Sequence, residues 1–284
     1  MWKLRYYWPL IGFVVPSIVI GYGIVLSSNG AAGWNSMTIG FAANLCGAMV
    51  AYTLGIASAL KTSCPVSAPW RVRISRYMNR QASNPHGPFG RILAEIWKRE
   101  HRRINRKTLD LLDIEPGAHL LELGCGPGEA LNDAIQRGAF AVGLDVSATM
   151  VAIAKRRNHD ALERRCAEVR LVRDGTLDLS DAAFDGAYSV HCLYFWQSPE
   201  RTLRDIAKAL RPGGRLVLAY MPDTDKVPAR FRDVTYSLYT PARLEELLTA
   251  AGFVNAATRS FSDIPGPVVW TTAETSQSAR LGKT

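Results

Sequence analysis

Two kinds of hydrophobic pattern divide the chain. Residues 9–27 (PLIGFVVPSIVIGYGIVLS) and 39–60 (IGFAANLCGAMVAYTLGIASAL) carry no charged side chain, and each is near the ~20 residues a helix needs to cross about 30 Å of hydrocarbon. They predict two transmembrane helices joined by the short, uncharged turn SNGAAGWNSMT. Beyond Pro116 the pattern changes to short apolar runs alternating with helical stretches, which predicts a doubly wound α/β domain. The strands fall at 118–123, 140–144, 169–172, 185–190, 214–220, 256–261 and 267–272, with helices between most of them.

Between these regions, residues 64–88 hold four prolines (Pro65, Pro69, Pro85 and Pro88) and read as a mixed linker, because proline limits helix and sheet continuation. From Phe89 to Leu112 the apolar residues Phe89, Ile92, Leu93, Ile96, Trp97, Ile104 and Leu111 recur at helical spacing, with Arg and Lys on the other side. Such an amphipathic helix packs on a domain, lies as a basic surface helix against anionic lipid, or does both with different faces. The expected organisation is a hairpin over 1–63, a basic linker and helix over 64–112, the α/β domain over 113–273 and a loose tail over 274–284.

Charge sharpens this division. The formal net charge is +9, but residues 1–108 carry 14 Lys and Arg against 2 Asp and Glu, whereas residues 109–284 carry 20 against 23. The excess sits beside the apolar runs, which suits a membrane surface and argues against a nucleic-acid partner. Lys3 and Arg5 precede the first run, and Lys61, Arg71, Arg73, Arg76 and Arg80 follow the second, so both flanks, and the α/β domain with them, are expected on the cytoplasmic side of a membrane. A signal peptide alone would leave the second run unexplained, and two buried helices would need a large surrounding core. In the second run Ala43, Gly47, Ala51, Gly55 and Ala59 share one helix face, which favours close packing within the hairpin or, as a homo-oligomer, against another copy. Five cysteines show no C-x-x-C pair and no His at ligand spacing, so neither a disulfide framework nor a metal site is expected.

The candidate chemistry begins at HLLELGCGPGEAL (119–131), an apolar strand that ends in Glu122 and opens through Gly124, Gly126 and Gly128 into a helix. Glycines suit a sharp turn against which a ligand lies without Cβ obstruction. The spacing is G-x-G-x-G, with Glu129 where a dinucleotide fingerprint wants its third glycine. Farther on, AVGLDVS places Asp145 at the end of the second strand, where a carboxylate accepts hydrogen bonds from vicinal ribose hydroxyls in both nucleotide and nucleoside sites.

With LVRDGTLDLSDAAFDGAYSVHCLYFW (171–196), LRDIAKALRPGGRLVLAY (203–220) and YTPARLEELLTAAGF (239–253), these landmarks resemble, over about 101–273, the class I Rossmann-like S-adenosylmethionine-dependent methyltransferases. The resemblance is nearest the ubiquinone/menaquinone and phospholipid methyltransferase group, from whose ordinary soluble members the two N-terminal runs depart. It implies a seven-stranded sheet with its last strand antiparallel, and S-adenosyl-L-methionine as cofactor. It assigns cofactor contacts to Glu122, Gly124, Cys125, Gly126 and Gly128 in the first turn and to Asp145, Val146 and Met150 after the second strand. It extends them to Asp174, Gly175 and Thr176 in the adenine turn and to Val190 at the end of the fourth strand. Cys125 also reads as a spacer between glycines, and Asp145 and Asp174 also suit helix caps or turns.

Methyl transfer from a sulfonium is an in-line displacement, so collinear positioning is most of what the protein must supply, and a base matters only where the nucleophile first loses a proton. His191 is the candidate base, with Tyr194 lining the pocket, although either side chain also suits simple packing. The acceptor is expected to enter over the carboxyl ends of the strands, covered by residues of the 77–105 region. The hairpin and the basic helix together suggest a lipophilic or membrane-associated acceptor and contact with the bilayer. A tethered enzyme for a soluble small molecule, a non-catalytic cofactor-binding sensor or scaffold, and an NAD-dependent oxidoreductase are the alternatives.

Overall fold

The computed structural model describes residues 70–277 apart from 174, 226 and 233. The two predicted spans and the tail beyond Gln277 lie outside the described residues, and among the described residues no helix is long and apolar enough to cross a membrane. The chain divides into two compact units, Met1–Arg73 and Ile74–Thr284, and the second holds the α/β domain.

That domain is built on a seven-stranded sheet, in the spatial order β3-β2-β1-β4-β5-β7-β6, from β1 (His119–Leu123), β2 (Phe140–Asp145), β3 (Ala167–Leu171), β4 (Phe184–Val190), β5 (Leu210–Tyr220), β6 (Phe253–Arg259) and β7 (Val269–Thr275). The first five strands run parallel and β7 lies antiparallel between β5 and β6. All seven predicted strands form, and the antiparallel last strand is present. β5 starts earlier than its apolar run suggested and carries the Pro-Gly-Gly segment, while β6 begins at Phe253 directly after the glycine that ends the preceding helix.

Helices cover both faces, so the strands are apolar on both sides rather than alternating. Leu121 and Leu123 point to one layer, where Leu203 and Ile206 of α7 (Pro199–Ala209) and Leu244 and Leu248 of α8 (Pro241–Ala250) pack. Leu120 points to the other, against Leu109 and Leu112 of α3 (Arg102–Leu112) and Leu131 of α4 (Glu129–Gln136). Trp270 of β7 is fully buried in this second layer, and its indole Nε1 donates to Thr108 Oγ1 at 2.9 Å. The crossover between β2 and β3 carries α5 (Ala148–Arg157) and the short α6 (His159–Glu163).

The proline-bearing stretch departs from the expected linker. It contains α1 (Trp70–Ser83), followed by α2 (Gly87–Glu100). Pro69 and Pro85 flank α1 rather than interrupt it, as expected where proline is excluded from helix interiors but tolerated at their edges. Tyr77 packs on Phe89 with ring centroids 5.6 Å apart, and the His86 N–H donates to Gln81 Oε1 at 3.0 Å. The single helix expected over 89–112 is two, because the chain breaks at His101, which ends α2 and caps α3. Ser147 Oγ, at the start of α5, donates to Pro85 O, and Met150 of α5 packs with Ala94 of α2. The first two helices are thereby fixed over the carboxyl ends of β1 and β2.

Candidate functional site

The strand order reverses between β1 and its neighbours β2 and β4, and in an open parallel sheet that reversal leaves a crevice at the carboxyl ends of the strands. The glycine turn lines it. The N–H groups of Gly124 and Cys125 both donate to Leu144 O at the end of β2, at 2.8 and 3.0 Å, which folds the turn over the sheet edge. Gly124, Gly126 and Gly128 all have left-handed backbone, with φ of +72°, +51° and +74°, yet they serve different ends. A Cβ on Gly124 would overlap Cys192 Sγ, and one on Gly128 would press on Asn158 and Ala154, so these two permit close packing within the protein. A Cβ on Gly126 would meet nothing within 4 Å. Gly126 is the position where bare backbone faces open space.

Beside it lies Asp145, only 8% exposed. Its Oδ2 accepts the Gly126 N–H and its Oδ1 the Ser147 N–H, each at 2.8 Å. Burial raises its pKa above the ordinary carboxylate range, against the pull of those amide donors. The Val146 N–H also interacts with this carboxylate, and a carboxylate has about four lone-pair sites in all, so acceptor capacity remains for a further donor. Val146, the next residue, leaves an apolar side chain 51% exposed.

The other residues assigned by resemblance fall in distinct places. Glu122 is buried beneath the turn, where it accepts the Tyr188 hydroxyl at 3.1 Å and the backbone N–H of Leu131. That amide belongs to the first turn of α4, which lacks an intrahelical partner, so Glu122 braces the helix. Burial, reinforced by Asp145 and Asp133, pushes its carboxyl well above the usual range. The Cys125 side chain points down onto Gly143, and Met150 is 1% exposed beneath Ala94; neither side chain opens on the crevice. Gly175 and Thr176 are exposed on the turn after β3, and Val190 is half-buried at the end of β4. Asp174 lies outside the described residues.

The second half of the site is aromatic. His191 follows β4 in left-handed backbone, φ +53°, with its N–H donating to Ala219 O at 2.8 Å. Its Nδ1 lies 2.5 Å from the Tyr194 hydroxyl, whose oxygen also accepts the Met221 N–H at 3.2 Å. A phenol that accepts from an amide still has one proton to place, and His191 Nδ1 is the acceptor at hand, which puts the imidazole hydrogen on Nε2. Desolvation, with the His101 ring adding to it, drives the His191 pKa down to about 3, and burial lifts the Tyr194 phenol well above its ordinary range. Both are neutral at physiological pH. Burial likewise raises Cys192 to about 12 and Cys125 well above the thiol range, so neither supplies a thiolate.

Sequence reading missed His101. At the break between α2 and α3 it meets His191 with ring centroids 4.9 Å apart and stacks on Trp97 one turn earlier at 6.2 Å. Desolvation lowers its pKa to about 4. Tyr236 also joins, packing on Tyr194 at 6.0 Å and on Phe195 at 5.2 Å. The signal present in the sequence was the i, i+4 pair Trp97 and His101; the sequence around Tyr236 marks nothing comparable. The expected cover from 77–105 is thus in place through Pro85, Ala94 and His101. Among the described residues no cluster of His, Cys, Asp or Glu is arranged to hold a metal ion.

Comparison with known proteins agrees with this geometry. Residues 121–218 match the methyltransferase domain family. An O-methyltransferase of Pyrenophora dematioidea is 30% identical over 160 residues, 53% of this chain and 60% of that protein. The demethylmenaquinone methyltransferase of Tropheryma whipplei (strain Twist) is 29% identical over 149 residues, 51% of this chain and 59% of its own length. The chain therefore spans about three fifths of each of these relatives. Among solved structures, Haemonchus contortus phosphoethanolamine N-methyltransferase 2 in complex with S-adenosyl-L-methionine superposes with a TM-score of 0.54 at 17% identity, over 62% of this chain and 53% of that one. Residues 121–218 thus match a methyltransferase domain model, and the α/β domain shares the Rossmann-like fold of that solved methyltransferase.

Proposed function

We propose that this chain is an S-adenosylmethionine-dependent methyltransferase, held at a membrane by its N-terminal segment, that methylates a lipophilic or membrane-associated small molecule. The observation that carries the proposal is the pairing of Gly126 with Asp145: bare left-handed backbone faces open space directly above a buried carboxylate with spare acceptor capacity. That pairing fits a nucleoside, with Asp145 receiving a vicinal diol, the Gly126 backbone passing close to the ligand and the exposed Val146 offering an apolar surface to a base. The matched domain and the two relatives support the same reaction class.

When bound, the cofactor supplies an activated methyl group on a sulfonium. The protein's own share is orientation. Tyr194, anchored by the Met221 N–H, fixes the His191 ring, and His191 in this tautomer presents Nε2 as a hydrogen-bond donor. A pKa near 3 makes it a poor proton acceptor, so its task is to orient the acceptor rather than to deprotonate it. The aromatic rings of Trp97, Tyr194 and Tyr236 favour a flat or apolar acceptor. The uncharged runs at 9–27 and 39–60 support a membrane location.

The test is calorimetric titration of the detergent-purified full chain with S-adenosylhomocysteine and with NADH, followed by a methylation screen of quinones, phospholipids and soluble phenols. Micromolar binding of S-adenosylhomocysteine alone is expected. Binding of NADH instead, or of neither by folded protein, would refute the cofactor assignment, and turnover confined to soluble acceptors would refute the lipophilic one.

A further inference from the structure

The junction of α2 and α3 has two sides. His101 faces inward onto His191. Outward, Arg99, Arg102 and Arg103 converge with Glu100, and with Pro265 from the β6–β7 connection, on an open groove of about 550 Å³. All three arginines are exposed, and among the described residues none of them bridges to a carboxylate, unlike Arg157, Arg211 or Arg215 elsewhere in the domain. Three guanidiniums against one carboxylate give the groove a net charge of +2. Ile92, seven residues before Arg99 and therefore on the same side of α2, is 45% exposed.

We propose that this groove binds the phosphate headgroups of an anionic lipid surface, with Ile92 dipping into the interface beside it. A guanidinium matches phosphate oxygens in a bidentate fork, and an exposed apolar residue next to a basic cluster is the pattern of an interfacial helix. A nucleic acid needs a basic track several phosphates long, whereas this groove gathers three arginines about a single carboxylate. The inference rests on the reading that the chain works at a membrane. It adds that the lipid contact lies on the reverse of the segment bearing His101, so that headgroup binding steadies the cover of the acceptor site.

Hydrogen exchange of the full chain tests this in neutral detergent micelles containing phosphatidylglycerol or an equal amount of phosphatidylcholine. Amides of residues 96–106 are expected to exchange at least about ten-fold more slowly with phosphatidylglycerol, and R99Q/R102Q/R103Q is expected to abolish the difference. Equal protection by phosphatidylcholine, by inorganic phosphate or by a short DNA duplex, or protection that survives the triple substitution, would overturn the proposal. In the same samples, slowing at residues 124–128 by S-adenosylhomocysteine reports folding and the cofactor assignment independently, so failure of one is distinguishable from failure of the other.

Discussion

The two halves of the crevice are built differently. The cofactor side is main chain and short-range: Gly124, Gly126, Gly128 and Asp145 come from two adjacent strands and are held by amide hydrogen bonds. The acceptor side is side chain and long-range, since His101, His191 with Tyr194, and Tyr236 arrive from three segments and meet through rings. A backbone cradle tolerates almost any neighbouring sequence but hardly any change of its glycines, whereas an aromatic wall can be re-lined residue by residue. This difference explains how one fold keeps a fixed donor and varies the acceptor.

The largest expected effect separates the halves. Asp145→Ala removes the carboxylate proposed to hold a diol and strands the Gly126 and Ser147 amides, so S-adenosylhomocysteine affinity should fall by about 100-fold, near 3 kcal/mol. Tyr194→Phe should leave that affinity unchanged. Calorimetry on both variants decides it, and an equal loss in each would show that the halves are one unit.

Next comes a division within the turn itself. Gly124→Ala sets a methyl group against Cys192 Sγ at positive φ and should lower stability by about 2–3 kcal/mol, with part recovered in Gly124→Ala/Cys192→Ala. Gly126→Ala meets no protein atom, so it should cost only about 1 kcal/mol of stability while weakening S-adenosylhomocysteine binding more than ten-fold. Denaturant unfolding and calorimetry together read the two costs. Similar profiles for both variants would remove the distinction.

The same contrast governs what could be read in the sequence. The cofactor half was legible because its chemistry is contiguous: HLLELGCGPGEAL and AVGLDVS carry the strand, the turn and the carboxylate within a few residues. Burial altered the reading at Glu122, Cys125 and Met150, where the same local pattern serves to brace α4, to pack on Gly143 and to seat α2. The acceptor half was only partly legible. His191 and Tyr194 stand at the end of a predicted strand, but His101 sits at a helix break that periodicity does not show, because its backbone, φ −89° and ψ −2°, stays close to helical. Pro69 and Pro85 mark the ends of α1, and the sequence alone suggests a linker there because proline spacing does not distinguish a boundary from a loop.

A smaller effect tests the link between Tyr194 and His191. Tyr194→Phe deletes the hydroxyl that serves both the Met221 N–H and His191 Nδ1. Freed of it, the ring can rotate or change tautomer, and methyl transfer should slow about ten-fold in kcat with little change in the cofactor's KM. His191→Gln retains a side-chain donor and should keep more activity than His191→Ala. If His191→Gln were as inactive as His191→Ala, a proton-accepting role would replace the orienting one.

The subtlest prediction concerns acid. The folded pKa values of about 4 for His101 and about 3 for His191 lie below the unfolded value of 6.5. Below pH 6.5 the unfolded chain therefore binds protons that the folded one refuses, and stability falls as pH drops from about 6.5 towards 4, with His191 continuing towards 3. Above pH 7 neither ring contributes. Each desolvated ring costs at most about 1.4 kcal/mol per pH unit within its window, and the window is narrower for His101, whose pKa falls less far. Glu122 acts in the opposite sense: its carboxyl, raised by burial, keeps its proton to higher pH in the folded chain than in the unfolded one, so its burial destabilises increasingly as pH rises above 4.5. The useful quantity is accordingly the difference between wild type and His101→Gln in melting temperature from pH 7 to 4, in which the Glu122 contribution cancels. His101→Gln removes one desolvated ring and the pressure on the other, so its profile should be flatter. Parallel profiles would mean that the rings ionise freely and that α2 and α3 do not seal the acceptor side from water.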